Sequence, residues 1–168
     1  MAWTTPRTWV VGELVTASMM NTHIRDNLNY LYSAANACRV SNSNQTIANT
    51  THTALTFSTE TYDTNSMHST SSNTSRIIAP VEGKYLATAR AYWTGSGGGQ
   101  ERQFYLKVNA TTSYALVHIP PSGGINIGQL TADVLSLAVS DYVEAFVYQD
   151  SGGNLDTLGA NFALVQLL

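Results

Sequence analysis

The side chains that could carry out chemistry are few and lie far apart in the sequence. Four histidines are candidate metal ligands or general acids and bases: His23, His52, His68 and His118. No His-x-x-x-His pair and no Cys/His spacing of the kind that binds a transition metal joins them. The single cysteine, Cys38, cannot form an internal disulfide, and its redox state is left open. We therefore predict no transition-metal site and no cofactor.

Several carboxylates occur late in the chain and could meet at strand ends: Asp133, Asp141, Glu144, Asp150 and Asp156. Calcium prefers carboxylate and carbonyl oxygens, usually supplied by a loop with closely spaced Asp residues. No Asp-x-Asp loop is present here. We predict solvated loop carboxylates rather than a calcium site.

The glycine-rich segment 95–99 has the composition of a phosphate-binding loop. Such a loop needs a helix after it and either Lys-Ser/Thr or a third glycine in place. A strand pattern follows instead, and Gln100 stands where the third glycine would be, so we predict the tip of a β-hairpin. No Gly-x-Ser-x-Gly sequence occurs, and no carboxylate pair is identifiable as acid and base. We expect no enzymatic activity.

The composition is that of a β protein rich in hydroxyls and amides. Hydrophobic residues make up 43% of the 168 residues and charged residues only 11%, whereas Thr, Ser and Asn number 21, 16 and 13. Thr favours strands, and Ser and Asn favour turns. A net charge of −3 without a basic cluster argues against nucleic-acid binding. No apolar run is long enough to span a membrane, and the first residues lack the pattern of a signal peptide.

One helix is predicted, near the beginning of the chain. Thr16 is a suitable N-cap. Met20, Ile24, Leu28 and Leu31 follow at spacings that line one face of a helix extending to about residue 35. An isolated helix of this length is marginally stable in water, so the stripe needs a partner. Three copies around one axis would cover it, which predicts a stalk.

The remainder of the sequence predicts short strands. Residues 41–75 are so rich in Ser, Thr and Asn that they resemble a linker, yet the alternation at 53–57 favours short strands joined by polar loops. Clearer alternation predicts further strands at 84–93, 103–108, 112–119, 129–139, 142–149 and 160–167. Many short strands separated by turns are typical of a sandwich or jelly roll.

Two of these strands are apolar on both faces. Segment 142–149 carries Phe146 and Tyr148 opposite its Val/Ala face, and segment 160–167 carries Phe162 and Leu164 opposite another apolar face. A strand in a lone sandwich needs only one apolar face. We predict that Phe146, Tyr148, Phe162 and Leu164 form a subunit interface.

The order of motifs after residue 40 resembles the complement/tumour-necrosis-factor jelly-roll superfamily. The similar segments are 54–57, the Tyr-Asp turn at 61–65, the Pro-x-x-Gly-x-Tyr corner at 77–85, the strand entry at 135–144 and the final Phe-bearing strand at 161–165. Ser140 stands where the family pattern has Gly. The resemblance implies a jelly-roll β-sandwich, and because jelly rolls of this family are usually homotrimers, it also implies a trimer.

The N-terminal segment 9–28 is similar to a leader found in tailed-bacteriophage virion proteins, in which a Trp precedes Gly-Glu, Thr-Ala, Asn-Thr and Arg-Asp-Asn before a helix. This resemblance implies a structural part of a phage particle, made in the host cytoplasm and displayed on the virion surface. It leaves head and tail open. The expected partners are other capsid or tail proteins.

We therefore expect an attachment segment and helical stalk at residues 1–36 and a jelly roll at 37–168. Trp3 and Trp9 precede the stripe, where they either staple onto the chain's own helix or dock the protein onto the virion. The capsid-decoration, head-fibre and tail-appendage roles stay open. The alternative function is a tail module that binds a host-surface carbohydrate or receptor, with Tyr92, Trp93 and Tyr114 as candidate sugar-stacking residues.

Overall fold

The computed structural model describes residues 4–32 and 36–167, and the chain divides into two compact units, residues 1–35 and 36–168. Trp3 lies outside the described residues. Asn36 belongs to the second unit, one residue earlier than predicted, because its side-chain amide donates to Gln166 Oε1 over 2.5 Å and its carbonyl accepts from the Gln166 N–H.

The first unit contains the predicted helix, interrupted by a π-helical turn. Helix α1 spans Ala17–Met20, the π-helical turn spans Asn21–Arg25, and helix α2 spans Asp26–Tyr32. The N-cap is confirmed, since Thr16 Oγ1 accepts a hydrogen bond from the Met19 N–H. Successive spacings of four residues exceed the 3.6 residues of an α-helical turn, and the wider π turn takes up the excess.

An irregular segment precedes the helix and is fastened to it by one side chain. Asn27 Oδ1 accepts from the Thr4 N–H over 2.9 Å, and the Asn27 Nδ2 donates to the Thr4 carbonyl over 2.8 Å. Asn27 is buried, whereas the described apolar residues of this unit are exposed or half-buried. The unit has a polar clamp but no apolar core among its described residues.

The second unit is a sandwich of two antiparallel sheets. The front sheet has the order β4-β1-β11-β6-β9, with β2 also paired to β11, and the back sheet has the order β3-β10-β7-β8, with β5 also paired to β10. The strands are β1 Ala37–Asn42, β2 Gln45–Ile47, β3 Thr53–Ala54, β4 Thr59–Asp63, β5 Arg76–Ile78, β6 Gly83–Trp93, β7 Arg102–Val108, β8 Thr112–Ile119, β9 Ile127–Leu137, β10 Tyr142–Gln149 and β11 Leu155–Leu167. The predicted jelly-roll sandwich with an N-terminal helix is confirmed.

The core lies between the two sheets and follows the predicted alternation along β6. Every second residue from Tyr85 to Trp93 is buried, and the three alanines at 87, 89 and 91 leave room for the large rings of Phe57, Phe104 and Phe162. The Tyr85 hydroxyl donates to the Val81 carbonyl over 2.8 Å, which forms the corner that the Pro-x-x-Gly-x-Tyr motif predicted.

Two of the four residues predicted to form the subunit interface lie in this core, so that prediction is wrong for them. Phe162 and Leu164 on β11 are completely buried inside a single chain. Strand β11 lies at the centre of the front sheet, between β1 and β6. Its outward residues include Ala163 and Val165, because successive side chains of a strand point to opposite faces.

The hairpin predicted at residues 95–99 is also wrong. Strands β6 and β7, which flank this segment, belong to different sheets, so the loop carries the chain across the sandwich. Its glycines serve close packing: a side chain at Gly95 would collide with the backbone of Gly124, and Gly99 has a φ of +81° beside Asp150. Asp150 accepts hydrogen bonds from the N–H groups of Gln100 and Glu101, and these bonds lower the pKa of its carboxyl.

The polar stretch 41–75 contains the short strands that its alternation predicted. Its longest loop is held by Asp63, whose carboxylate accepts from the N–H groups of Met67 and His68 over 2.9 Å. The buried His68 ring contacts Glu60 Oε1 at 3.0 Å and the Thr74 carbonyl at 3.1 Å. Side-chain hydrogen bonds therefore order a segment whose composition resembles a linker.

Candidate assembly face and ligand cleft

The outer face of the front sheet carries several exposed apolar side chains. Leu130 is 65% exposed, Val134 52% and Leu86 36%. The strand register sets Val165, Leu86 and Val134 side by side across β11, β6 and β9. The side chains of this row project from one surface, and we call this surface the front face.

A groove of about 420 Å³ crosses the front face. Arg39 and Arg90 line it together with Tyr62, Leu130 and Asn161. The surface is therefore apolar with a basic groove, and this combination suits burial against a protein partner better than prolonged contact with water.

The remaining predicted interface residues lie on the opposite side of the sandwich. Phe146 and Tyr148 project half-buried from the outer face of the back sheet, on β10. The structure does not bring them together with Phe162 and Leu164, which are enclosed between the sheets. The four residues therefore cannot form one interface.

Phe146 and Tyr148 belong instead to a cluster of rings on the back sheet. The Phe146 ring stacks on Tyr105, with centroids 5.7 Å apart and an interplanar angle of 21°. The His52 ring lies 4.5 Å from that of Tyr148, and His52 Nδ1 is 2.8 Å from the Tyr105 hydroxyl. The Lys107 ammonium lies 4.6 Å from the Phe146 ring centroid. Burial raises the pKa of the Tyr105 hydroxyl, which therefore stays protonated at neutral pH.

A cleft of about 290 Å³ opens beside these rings, and we call it the back cleft. It is lined by His52, Gln103, Tyr105, Lys107, Ser113 and Leu116. The sequence reasoning missed this site. The alternation along β7 places residues 103, 105 and 107 on the outer face of the sheet, and this pattern could have indicated part of the site. His52 joins them only because β3 pairs with β10.

The residues proposed from sequence for sugar stacking do not meet. Trp93 is completely buried, and its indole donates to Gln129 Oε1. Tyr114 packs against the core from β8, and Tyr92 is exposed on the front sheet. Alternation along β6 is the reason, since neighbouring residues 92 and 93 point to opposite faces.

The turn before β10 has the geometry that the family pattern requires. Ser140 has a φ of 71°, in the left-handed region that favours glycine. Asp141 accepts hydrogen bonds from Asn109 Nδ2 over 2.7 Å and from the Ala138 N–H over 2.8 Å. These two bonds, that from Asn109 first, lower the pKa of the Asp141 carboxyl.

The other chemistry-bearing residues do not form a site. No group of three or more His, Cys, Asp or Glu residues in the described ranges 4–32 and 36–167 could hold a metal ion. Burial and the nearby Asp63 and Glu60 raise the pKa of the Cys38 thiol to about 12, so it stays protonated and unreactive. Within the described part of the chain, none of the helices has the length and apolar character needed to cross a membrane.

The N-terminal unit presents the predicted stripe to solvent. Met20, Ile24, Leu28 and Leu31 are 39–59% exposed. Trp9 is 40% exposed, with the Arg7 guanidinium 4.9 Å from its ring centroid and the His23 ring edge-on to it, their centroids 6.4 Å apart. Four further apolar side chains in the same unit are exposed: Val10, Val11, Leu14 and Val15.

Comparison with known proteins supports the fold alone. No protein-family model matches the sequence, and no curated protein matches it. The chain is similar to the solved globular domain of zebrafish complement 1qA protein, at 18% identity and a TM-score of 0.59, over 80% of this chain and 98% of that one. It is also similar to Eiger TNF from S. frugiperda, at 13% identity and a TM-score of 0.61, over 80% and 94% of the two chains. Residues 36–167 thus have the jelly-roll fold of C1q and TNF domains.

Proposed function

We propose that this protein is a structural component of a bacteriophage virion: a homotrimeric jelly roll displayed on the particle surface and anchored by its N-terminal segment. The observation that carries the proposal is the contrast between the two units. The jelly roll encloses a complete core, whereas the N-terminal unit exposes its large apolar side chains. A segment of this kind needs a partner, and the phage-like leader at 9–28 indicates which kind of particle supplies it.

The front face is the surface through which the trimer forms in this proposal. Val165, Leu86 and Val134 make a continuous apolar row, and Leu130 lies beside the basic groove. Each fully buried aliphatic side chain contributes about 1.5–3 kcal/mol relative to exposure. The jelly-roll family resemblance supports a trimer, and the apolar row supports the choice of face.

The N-terminal unit then divides into two parts. The helix forms a bundle with the helices of two other copies through Met20, Ile24, Leu28 and Leu31. Trp9 and its exposed neighbours 10–15 attach this stalk to a capsid or tail protein. Trp3 is assigned to the same attachment from sequence. The protein carries out no catalysis in this proposal, and it acts on the virion surface through cohesion and contact.

Imaging of virions tests the proposal. Particles of the encoding phage, grown with a tag after Leu168, should show label at regular surface positions, which also distinguishes head from tail. Deleting residues 1–35 should remove the label from particles while the purified jelly roll keeps its fold. Trp3→Ala combined with Trp9→Ala should lower the label, with Arg25→Gln as a matched surface control. Equal labelling with and without residues 1–35 would contradict anchoring by this segment.

A second candidate function is recognition of a host-surface carbohydrate. The back cleft favours it, because aromatic rings and hydrogen-bonding side chains converge there on an exposed face. A displayed trimer could carry this activity without any change in its structural role.

A further inference from the structure

We propose that the back cleft, with the rings of Phe146 and Tyr148 beside it, binds an acidic saccharide whose carboxylate lies beside Lys107. The inference rests on the second candidate function and specifies its site and ligand class. The cleft is built within one chain, so binding there depends neither on the trimer nor on a virion.

The floor of the site is the Tyr105 ring, which neighbouring rings hold in place. Tyr105 is only 5% exposed and supports Phe146 by stacking. His52 links the rings, through its contact with the Tyr105 hydroxyl and its packing on Tyr148. Aromatic faces carry partial negative charge and attract the weakly positive C–H groups of a sugar ring. A floor fixed in this way loses little conformational entropy on binding.

The charge of the cleft selects an anion. Lys107 and His52 are the basic side chains that line it, and none of its lining residues in the described part of the chain is a carboxylate. Glu144 lies opposite Lys107 in the strand register, but it is buried and accepts instead from the Ser75 hydroxyl over 2.7 Å and Arg76 Nε over 3.3 Å. Within the described residues the Lys107 ammonium contacts only ring faces, so a ligand carboxylate can bind it directly.

The polar edge of the cleft suits hydroxyl groups. Gln103 and Ser113 line it, and in the described part of the chain neither side chain has a protein hydrogen-bond partner. An amide and a hydroxyl that both donate and accept are complementary to the hydroxyls of a sugar. A volume of about 290 Å³ is at the lower end of small-ligand pockets, which favours one or two rings.

The test uses the purified full-length chain and two sugars that differ at one carbon. D-glucuronate carries a carboxylate where D-glucose carries a hydroxymethyl group. Saturation-transfer NMR at low ionic strength should show transfer to the ring protons of glucuronate and about tenfold weaker binding of glucose, because one charge-assisted contact is absent. Lys107→Gln should lower glucuronate affinity to the level of glucose, and Lys107→Arg should restore it.

Control variants separate the site from the fold. Phe146→Leu keeps an apolar side chain and should weaken the binding of both sugars. Arg25→Gln removes a positive charge outside the jelly roll and should leave the binding of both sugars unchanged. Thermal melting checks that each variant is folded, and Ser113→Ala replaces Phe146→Leu as the second site variant if the latter does not fold. Absence of transfer to either sugar would overturn the proposal. Equal binding of both sugars, or glucuronate binding unaffected by Lys107→Gln, would also overturn it. None of these results bears on incorporation into virions.

Discussion

The indole Nε1 of Trp93 donates a hydrogen bond to Oε1 of Gln129 over 2.6 Å inside the core of the sandwich. The Gln129 amide nitrogen in turn donates to the carbonyls of Arg102 and Val117, on the back sheet. One buried amide thus connects β6 and β9 of the front sheet with β7 and β8 of the back sheet. A glutamine on a strand is an ordinary exposed residue in the sequence, and only the sandwich gives it this role.

Gln129→Leu should lower the free energy of unfolding by about 2–4 kcal/mol, because it leaves the Trp93 N–H and two carbonyls buried without partners. Urea unfolding followed by Trp fluorescence measures the change. Gln100→Leu, on an exposed loop, is the matched control and should stay within about 0.5 kcal/mol of wild type. Equal midpoints for the two variants would show that water replaces the amide.

Leu130→Lys should abolish the proposed trimer, because Leu130 lies opposite Arg90 in the groove and a further positive charge buried there is repelled. Multi-angle light scattering of the wild type should give three times the 18.1 kDa chain mass, and the variant should give the chain mass. Leu116→Lys is the matched control, since Leu116 is 58% exposed on the back sheet, against 65% for Leu130. A wild-type monomer at micromolar concentration would refute the trimer, and a trimer lost only in Leu116→Lys would refute the choice of face.

Residues 36–168 alone should melt at the same temperature as the full chain, because the core lies entirely within them. Asn36→Ala should lower that temperature. Asn36 is buried, it donates to Gln166, and it accepts from the side-chain amide of Asn65. Differential scanning calorimetry measures both. Unfolding of the 36–168 fragment would show that the helix supports the jelly roll.

Ser140→Gly should raise the free energy of unfolding by about 0.5–1 kcal/mol, since glycine adopts the left-handed φ of 71° without strain. Chemical denaturation at neutral pH is the measurement. Ser113→Gly, at an exposed position on β8, should instead lower stability because a strand interior disfavours glycine. A loss of stability in Ser140→Gly would mean that the serine makes a compensating interaction.

Asp141→Asn should reduce the acid sensitivity of the fold. The pKa of Asp141 is lowered in the folded protein, so its stabilising effect is present above the unfolded-state value of about 3.9 and is lost as the pH falls through the lower folded value. Solvent reaches and screens this half-buried carboxylate, so the effect is below about 1 kcal/mol. Urea midpoints at pH 7 and pH 3 should differ less in the variant. A larger difference in the variant would contradict a stabilising effect of Asp141 that is lost at low pH.

Several elements could be predicted because they depend on neighbours in the sequence. The N-cap at Thr16 depends on a hydrogen bond between residues three apart in the sequence. The Tyr85 corner depends on one between residues four apart. The alternation that buries one face of β6 needs only the two-residue period of a strand. The resemblance of residues 40–168 to the complement/tumour-necrosis-factor superfamily added the jelly-roll architecture.

The candidate sites could not be predicted in the same way. The back cleft requires His52 of the 49–53 region to meet Tyr105, and residues so far apart in sequence meet only through the pairing of β3 and β7 with β10. The clamp between Thr4 and Asn27 is likewise a contact over 23 residues. Composition and local spacing do not predict which residues far apart in the sequence come into contact.

The sequence by itself determined that this chain forms a β-sandwich with one amphipathic helix before it, because strand alternation, caps and turns are local and are encoded residue by residue. The tertiary structure alone decided which apolar face of β11 points inward. Both faces of that strand are apolar, and a shift of one residue exchanges them. The choice follows from the sandwich as a whole: Phe162 and Leu164 fit the space opposite the alanines of β6, and Val165 is left on the front face beside Leu86.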